Sequence, residues 1–337
     1  MLTFRHGDKS VTLETGNCWA VQAPAVTYRD TSKEELEQIV EAIENGAPWH
    51  DVISLYYAQR NPWLHQIVTS PTRDLFLRQF PPQKGTKILD VGSGWGQIAI
   101  PLARRGDLEV TALEPTPERL AFIQAVAKQE HIEAAMHFLQ ATLFDIEFES
   151  GFDLACCVGV LEWVPEFRLG VPRDTFVDFL GRIRKLLKPE GRLLVGIENR
   201  LGLKYILGAP DDHTGVAGVN LLDAELASRK WRQMTGKELR CFTFNRVELT
   251  ELLTTGGFAV EAFFAAFPDY KMPKVILPLG DEVNDYFCKG GFLHEHDGSR
   301  GGLLGFQDEL KSHYISLARM GIAHEFVPSF YVLASAG

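Results

Sequence analysis

The sequence predicts an α/β fold with a doubly wound, largely parallel sheet, on three observations. An apolar run ending in an acid, residues 87–91 (KILDV), meets three glycines at alternate positions, Gly92, Gly94 and Gly96. Strand-like and helix-like segments then alternate from residue 87 to residue 199, the order such a sheet requires. With 337 residues and 45% hydrophobic content, the chain can bury a substantial core.

Taken in order, residues 1–30 alternate apolar and polar side chains around a His6-Gly7-Asp8 turn and predict a small β element. Residues 32–45 predict an amphipathic helix capped by Ser32 and stopped by Gly46. The aromatic stretch that follows carries Trp49, Tyr56, Tyr57 and Trp63. It reads either as core of an N-terminal cap over residues 1–82, or as a lid in which Tyr56 and Tyr57 meet a substrate. Pro81, Pro82 and Gly85 mark the linker into a second domain, residues 83–337.

That domain opens with Ile88, Leu89 and Val91 as a buried parallel strand. The glycines after it let the backbone turn sharply and approach a ligand. Residues 97–105 (QIAIPLARR) predict a helix with Pro101 in its first turns, its N-terminal N–H groups turned to that ligand. EVTAL (109–113) is a second strand, and Glu114 at its end stands where an acid can accept both hydroxyls of a ribose. Thr116 and Pro117 begin the helix 117–129. A third strand precedes Leu143, Phe144 and Asp145; residues 152–164 hold a fourth; residues 179–199 supply a basic amphipathic helix, a Pro-Glu-Gly turn and a fifth. Residues 244–258 form a helix stopped by two glycines, 259–267 a sixth strand, and 326–336 a seventh, expected antiparallel beside the sixth. Insertions are expected around 200–243 and 268–325.

The glycine spacing decides between ligands. A dinucleotide loop needs G-x-G-x-x-G, with its third glycine at position 97, where this chain has Gln97. The pattern D-x-G-x-G-x-G from Asp90 to Gly96 instead resembles the cofactor loop of class I S-adenosylmethionine-dependent methyltransferases. The KPEG turn between helix and fifth strand is similar to that family as well. The resemblance implies a seven-stranded Rossmann-like sheet and S-adenosylmethionine as cofactor, leaving as S-adenosylhomocysteine. It implies a cofactor site of Asp90, Gly92, Ser93, Gly94, Gly96, Glu114, Pro115, Leu143, Phe144, Asp145 and Gly159, with Asp145 on the adenine amino group and its apolar neighbours sandwiching the ring. The segments ENRLG…DDHTG and FPDYKMP resemble a subgroup of bacterial methyltransferases found near surface-polysaccharide and glycosyltransferase genes.

The acceptor side is sought in the loop leaving the fifth strand, because carboxyl ends of strands line the ligand crevice of an open α/β sheet. Glu162, Trp163, Glu198, Asn199 and Arg200 are its substrate-side candidates, and His213 the general base, since neutral imidazole accepts a proton near pH 7. Asp211 and Asp212 offer an alternative, a divalent ion that lowers the acceptor pKa. The run His294, Glu295, His296 and Asp297 reads as a solvated loop instead of a metal site.

The reading is methyl transfer to a small molecule or glycoside, at a hydroxyl oxygen. N- or C-methylation, a nicotinamide-dependent oxidoreductase and a catalytically silent cofactor-binding protein are the alternatives. A net charge of −10 argues against nucleic acid as partner. Cys18, Cys156, Cys157, Cys241 and Cys288 show neither CxxC nor zinc spacing, and the N-terminus lacks the apolar segment of a signal peptide. A cytoplasmic protein with reduced thiols and no membrane span is therefore expected.

Overall fold

The computed structural model describes residues 1–21, 30–149, 151–293 and 306–336. Two compact units divide the chain. The first comprises Met1–Cys157, Phe179–Leu194 and Ser335–Gly337, the second Val158–Asp178 and Val195–Ala334.

In the first unit β1 (Leu2–His6) and β2 (Lys9–Leu13) form an antiparallel hairpin, turned at Gly7 with φ +57°. β3 (Cys18–Ala20) leaves that hairpin and pairs parallel with β6 (Met136–Gln140) at the edge of the main sheet. Parallel pairing joins β4 (Lys87–Val91) to β5 (Glu109–Leu113), β5 to β6, and β4 to β8 (Phe152–Val158). The short β7 (Glu147–Phe148) closes the hairpin into a separate sheet of order β2-β1-β7. Ile88, Leu89, Val110, Ala112, Phe138 and Leu139 are fully buried, the near-continuous apolar runs that a sheet covered on both faces demands. The helix Pro117–Gln129 buries Leu120, Phe122, Ile123 and Val126.

β9 (Leu187–Glu198) begins in the first unit and ends in the second, where β10 (Ala259–Phe267), β11 (Val275–Pro278) and β12 (Ser329–Ser335) follow it. The strand order of the main sheet is β11-β10-β12-β9-β8-β4-β5-β6-β3. Asn199 N–H donates to the Pro328 carbonyl and Ala336 N–H to that of Gly191. Residue numbers thus rise along β12 as they fall along β9, so β12 is antiparallel to β9.

Among the described residues the sheet holds the seven expected strands and two more, β3 and β11, which add to its two ends and pair edge groups that would otherwise stay open. Two sequence expectations are corrected. The helix expected over 97–105 shrinks to Ala99–Ala103, since Pro101 supplies no N–H to it. Residues 188–191 fall within β9 instead of in a turn ahead of it; the strand bends there, and a Cβ on Gly191 would meet the Lys188 carbonyl oxygen at 2.9 Å. The insertion at 268–325 contributes β11, paired antiparallel with β10, and the helices Asp281–Cys288 and Phe306–Arg319. Residues 294–297 lie outside the described residues. All five cysteines are free, and among the described residues no helix is long and apolar enough to cross a membrane.

Candidate active site

In the first unit the carboxyl ends of β4 and β5 converge on the glycine loop. Gly92 and Ser93 N–H both donate to the Leu113 carbonyl, at 2.7 and 3.1 Å, which ties the loop to the neighbouring strand. Gly92, Gly94 and Gly96 all have positive φ, +66°, +56° and +77°. The last two are glycine for different reasons. A Cβ on Gly96 would lie 2.6 Å from Ile100 Cδ1 and 3.1 Å from Ile123 Cγ1, so helix packing forbids it. On Gly94 a Cβ would meet only ordinary contacts, the nearest at 3.8 Å, so the space beside the loop would admit it and the positive φ is what calls for glycine.

Two buried acids border that space. Glu114 Oε2 accepts from Gly94 N–H and Oε1 from Thr116 N–H, each at 2.9 Å, and burial raises the carboxyl pKa despite these bonds and Arg119. Asp90 is 3% exposed, its Oδ2 has no hydrogen-bond partner, and burial pushes its pKa up to about 7. Such an orphaned buried oxygen is uncommon and costly. Ser93 Oγ donates to the Asp90 carbonyl at 2.9 Å, while Trp95 Nε1 and Arg119 both reach Asp30.

The second unit holds a different cluster, buried and charged. His213 Nε2 lies 3.6 Å from Glu198 Oε2 and 3.9 Å from Glu162 Oε1; its Nδ1 lies 3.9 Å from Asp211 Oδ2. These are ion-pair distances, too long for hydrogen bonds. Trp163 packs edge-on against the imidazole at 5.1 Å, the Tyr270 hydroxyl donates to Glu162, and Lys271 is bonded to Glu198. Burial works against charging His213, yet the Glu198 carboxylate, with Cys241 and Asp211, outweighs it and holds the imidazole well above its ordinary range. Burial and the adjacent Glu198 charge raise Glu162. Burial opposes Lys271 too, but Glu198, Asp212 and Asp269 keep it charged. His213, Asp211 and Cys241 form part of the wall of a cavity of about 710 Å³.

Residues 89–195 match the family model described as a methyltransferase domain. This segment is similar to methyltransferase domains. It spans β4 through most of β9, so it contains the whole glycine loop, Glu114, Asp145 and Glu162. Over 122 residues the chain is 30% identical to the ubiquinone biosynthesis O-methyltransferase of Rickettsia akari (strain Hartford), covering 36% of this chain and 44% of that protein. It is 31% identical over 122 residues to the same-named protein of Rickettsia conorii, covering 36% and 38%. The chain thus spans less than half the length of these relatives. A solved structure of Haemonchus contortus phosphoethanolamine N-methyltransferase 2 in complex with S-adenosyl-L-methionine aligns at TM-score 0.46 and 17% identity, over 88% of this chain and 59% of that one.

Within the matched segment, the structure gathers Asp90, Gly92, Ser93, Gly94, Gly96, Glu114 and the adjacent Pro115 at one end of the first unit. Leu143 is buried; Phe144 is half-buried beneath the Arg182 guanidinium, 5.5 Å from its centroid. Asp145 Oδ2 accepts from Thr142 N–H and Oγ1, both at 2.7 Å, closing its own turn. Gly159, with φ +74°, belongs to the second unit and donates to the Gly196 carbonyl. Tyr57 is buried against Trp95, and Tyr56 is half-buried with its hydroxyl on Gln38.

On the acceptor side, Glu162, Trp163, Glu198 and His213 come together as a group. Asn199 and Arg200 do not join it. The Asn199 amide donates to the Glu325 and Val327 carbonyls, and Arg200 makes a bidentate pair with Glu248 at 2.6 Å. Nor do Asp211 and Asp212 face one cation together. Asp211 accepts from the His213 and Thr214 N–H groups, whereas Asp212 binds Lys204 and the Tyr205 hydroxyl. The better donor set for an ion is Glu162, Glu198 and His213, whose ligand atoms lie within 4.8 Å of one another. Lys271 on Glu198 already balances that charge, so the set fits protons and an ammonium better than a dication. Lys271, Tyr270 and Cys241 were not singled out by the sequence; the FPDYKMP segment marked the first two without naming them.

Proposed function

We propose that this chain is an S-adenosylmethionine-dependent methyltransferase that methylates a small-molecule acceptor at a hydroxyl oxygen. The observation that carries the reading is the glycine loop, bordered by Asp90, whose buried Oδ2 has no hydrogen-bond partner, and by Glu114, inside the segment that matches a methyltransferase domain. The residues present fit the cofactor. Asp90 Oδ2 is a free buried acceptor, Gly94 leaves room for close approach, and Glu114 stands at the end of β5 where ribose hydroxyls are read. When bound, S-adenosylmethionine supplies a methyl carbon on a sulfonium, open to in-line attack by the acceptor oxygen.

The chain's own task is to align the acceptor, exclude water and remove its proton. Of the buried cluster, His213 reaches the cavity wall and so meets an acceptor first. In its neutral form, reached as pH rises past its raised pKa, the imidazole takes the proton released by the acceptor hydroxyl. Glu198, held ionised by Lys271, then stabilises the imidazolium.

Calorimetric titration should show S-adenosylmethionine binding and no NAD binding. In a methyl-transfer assay with a panel of phenols and glycosides, His213→Ala should lower turnover about 10²-fold or more with cofactor affinity unchanged. Glu162→Gln should move the acidic limb of the pH–kcat profile to lower pH, because the imidazole loses a neighbouring carboxylate charge. Full turnover by His213→Ala from pH 6 to 9 would remove the imidazole from the reaction. NAD binding in place of S-adenosylmethionine would sink the cofactor assignment.

A further inference from the structure

The cavity of about 710 Å³ lies wholly within the second unit, and its volume is in the range of small-molecule sites. Phe176, Val219, Leu222, Leu239, Phe242 and Leu252 make most of its wall apolar. A buried amide side chain stands among them. Asn220 is 8% exposed, and neither its Oδ1 nor its Nδ2 has a hydrogen-bond partner. An amide buried this deeply with both ends unpaired costs stability, and a ligand offering a donor and an acceptor would recover it.

The charges of the wall select against anions. Arg200 is bidentate with Glu248, and Arg173 is paired with Glu251 at 2.6 Å, so neither guanidinium is unmatched. Asp211, Asp223 and Glu225 add negative charge, with His213 beside Asp211 and Arg229, from outside the wall, on Glu225. A phosphate entering this cavity would meet excess carboxylate with no unpaired arginine to receive it.

We infer that this cavity is the acceptor site and that it takes a neutral, largely apolar small molecule, whose hydroxyl group is read by the Asn220 carboxamide, and that it rejects phosphorylated or nucleotide-linked acceptors. The inference rests on the methyltransferase reading for the word acceptor; the binding preference stands on the cavity itself. A site built to hydrogen-bond a ligand group discriminates strongly against analogues that cannot reciprocate.

The test is fluorescence titration of the full chain at pH 6 with 4-methylumbelliferone, its phosphate monoester, and 7-methoxy-4-methylcoumarin, which lacks the hydroxyl donor. The neutral phenol should bind at least tenfold more tightly than the phosphate and at least fivefold more tightly than the methoxy compound. Asn220→Leu should erase the preference for the hydroxyl and weaken the phenol at least tenfold, with S-adenosylmethionine affinity by calorimetry unchanged. Equal or tighter binding of the phosphate, equal binding of the methoxy compound, or no binding of the phenol at its solubility limit each overturns the inference on the unaltered protein, whether or not the variant folds. Failure of the wild type to bind S-adenosylmethionine removes the cofactor reading and leaves the cavity result standing.

Discussion

Asp90 stands for what burial does to a single residue. Its sequence position before the glycine loop marks it as a ligand-side acid, but only its enclosure lifts its pKa to about 7, from 3.8 for the free side chain. A carboxyl whose folded pKa is raised makes the native state bind protons more tightly than the unfolded chain. Stability therefore falls as pH climbs from about 4 to about 7 and stays low above that window. At 1.36 kcal/mol per pKa unit, the three-unit rise amounts to about 4 kcal/mol at most. Asp90→Asn should thus be more stable than wild type by about 2–4 kcal/mol at pH 8 without cofactor, and this gain should vanish near pH 4. Urea unfolding of both proteins at the two pH values checks it; a difference that does not vary with pH would contradict the buried, proton-binding carboxyl. Glu114 shows the complementary case. Because it also holds Gly94 and Thr116, replacing it disturbs the loop itself, so its loss cannot leave stability untouched as a purely ligand-facing acid would.

Among the elements, the helix Arg246–Thr255 is the most completely specified by local chemistry. Asn245 accepts from Glu248 N–H while the Glu248 carboxylate accepts from Asn245 N–H, a reciprocal capping box, and Gly256 and Gly257 end the helix as expected. Glu248 also makes the bidentate pair with Arg200, so one side chain serves both the helix end and the cavity wall. Asn245→Ala should cost about 1–2 kcal/mol of stability in chemical denaturation. Glu248→Gln keeps a capping acceptor but weakens the pair, and should cost less. The opposite case is the segment 97–105, where apolar spacing predicts a helix twice as long as the five residues Ala99–Ala103. Spacing reports which side chains face the core; it does not report that Pro101 lacks an N–H and that the turn after Gly96 uses residues before the helix can start.

At the scale of the whole molecule, ligand binding should raise stability by mass action. S-adenosylhomocysteine at a hundred times its Kd should add about 2.7 kcal/mol, seen as a Tm increase of roughly 3–5 °C, and NAD at the same concentration should leave Tm unchanged. A shift with NAD alone would reverse the assignment of the loop. The sequence by itself determined the strands β4, β5, β6, β8, β9, β10 and β12, the glycine loop with its Asp90 and Glu114, the helix cap at Ser32 and the stop at Gly256 and Gly257, because each depends on residues within a few positions of one another. The tertiary structure alone decided which distant side chains meet. Glu162, Glu198, His213 and Lys271 come from four separate segments, and no periodicity records that they share one buried cluster. Nor does any local signal reveal that the Arg200 and Asn199 side chains are occupied elsewhere, or that Asn220 is left unpaired in a cavity wall. Charge shifts such as that of Asp90 follow from enclosure by the folded chain, a property of packing that no stretch of sequence carries alone.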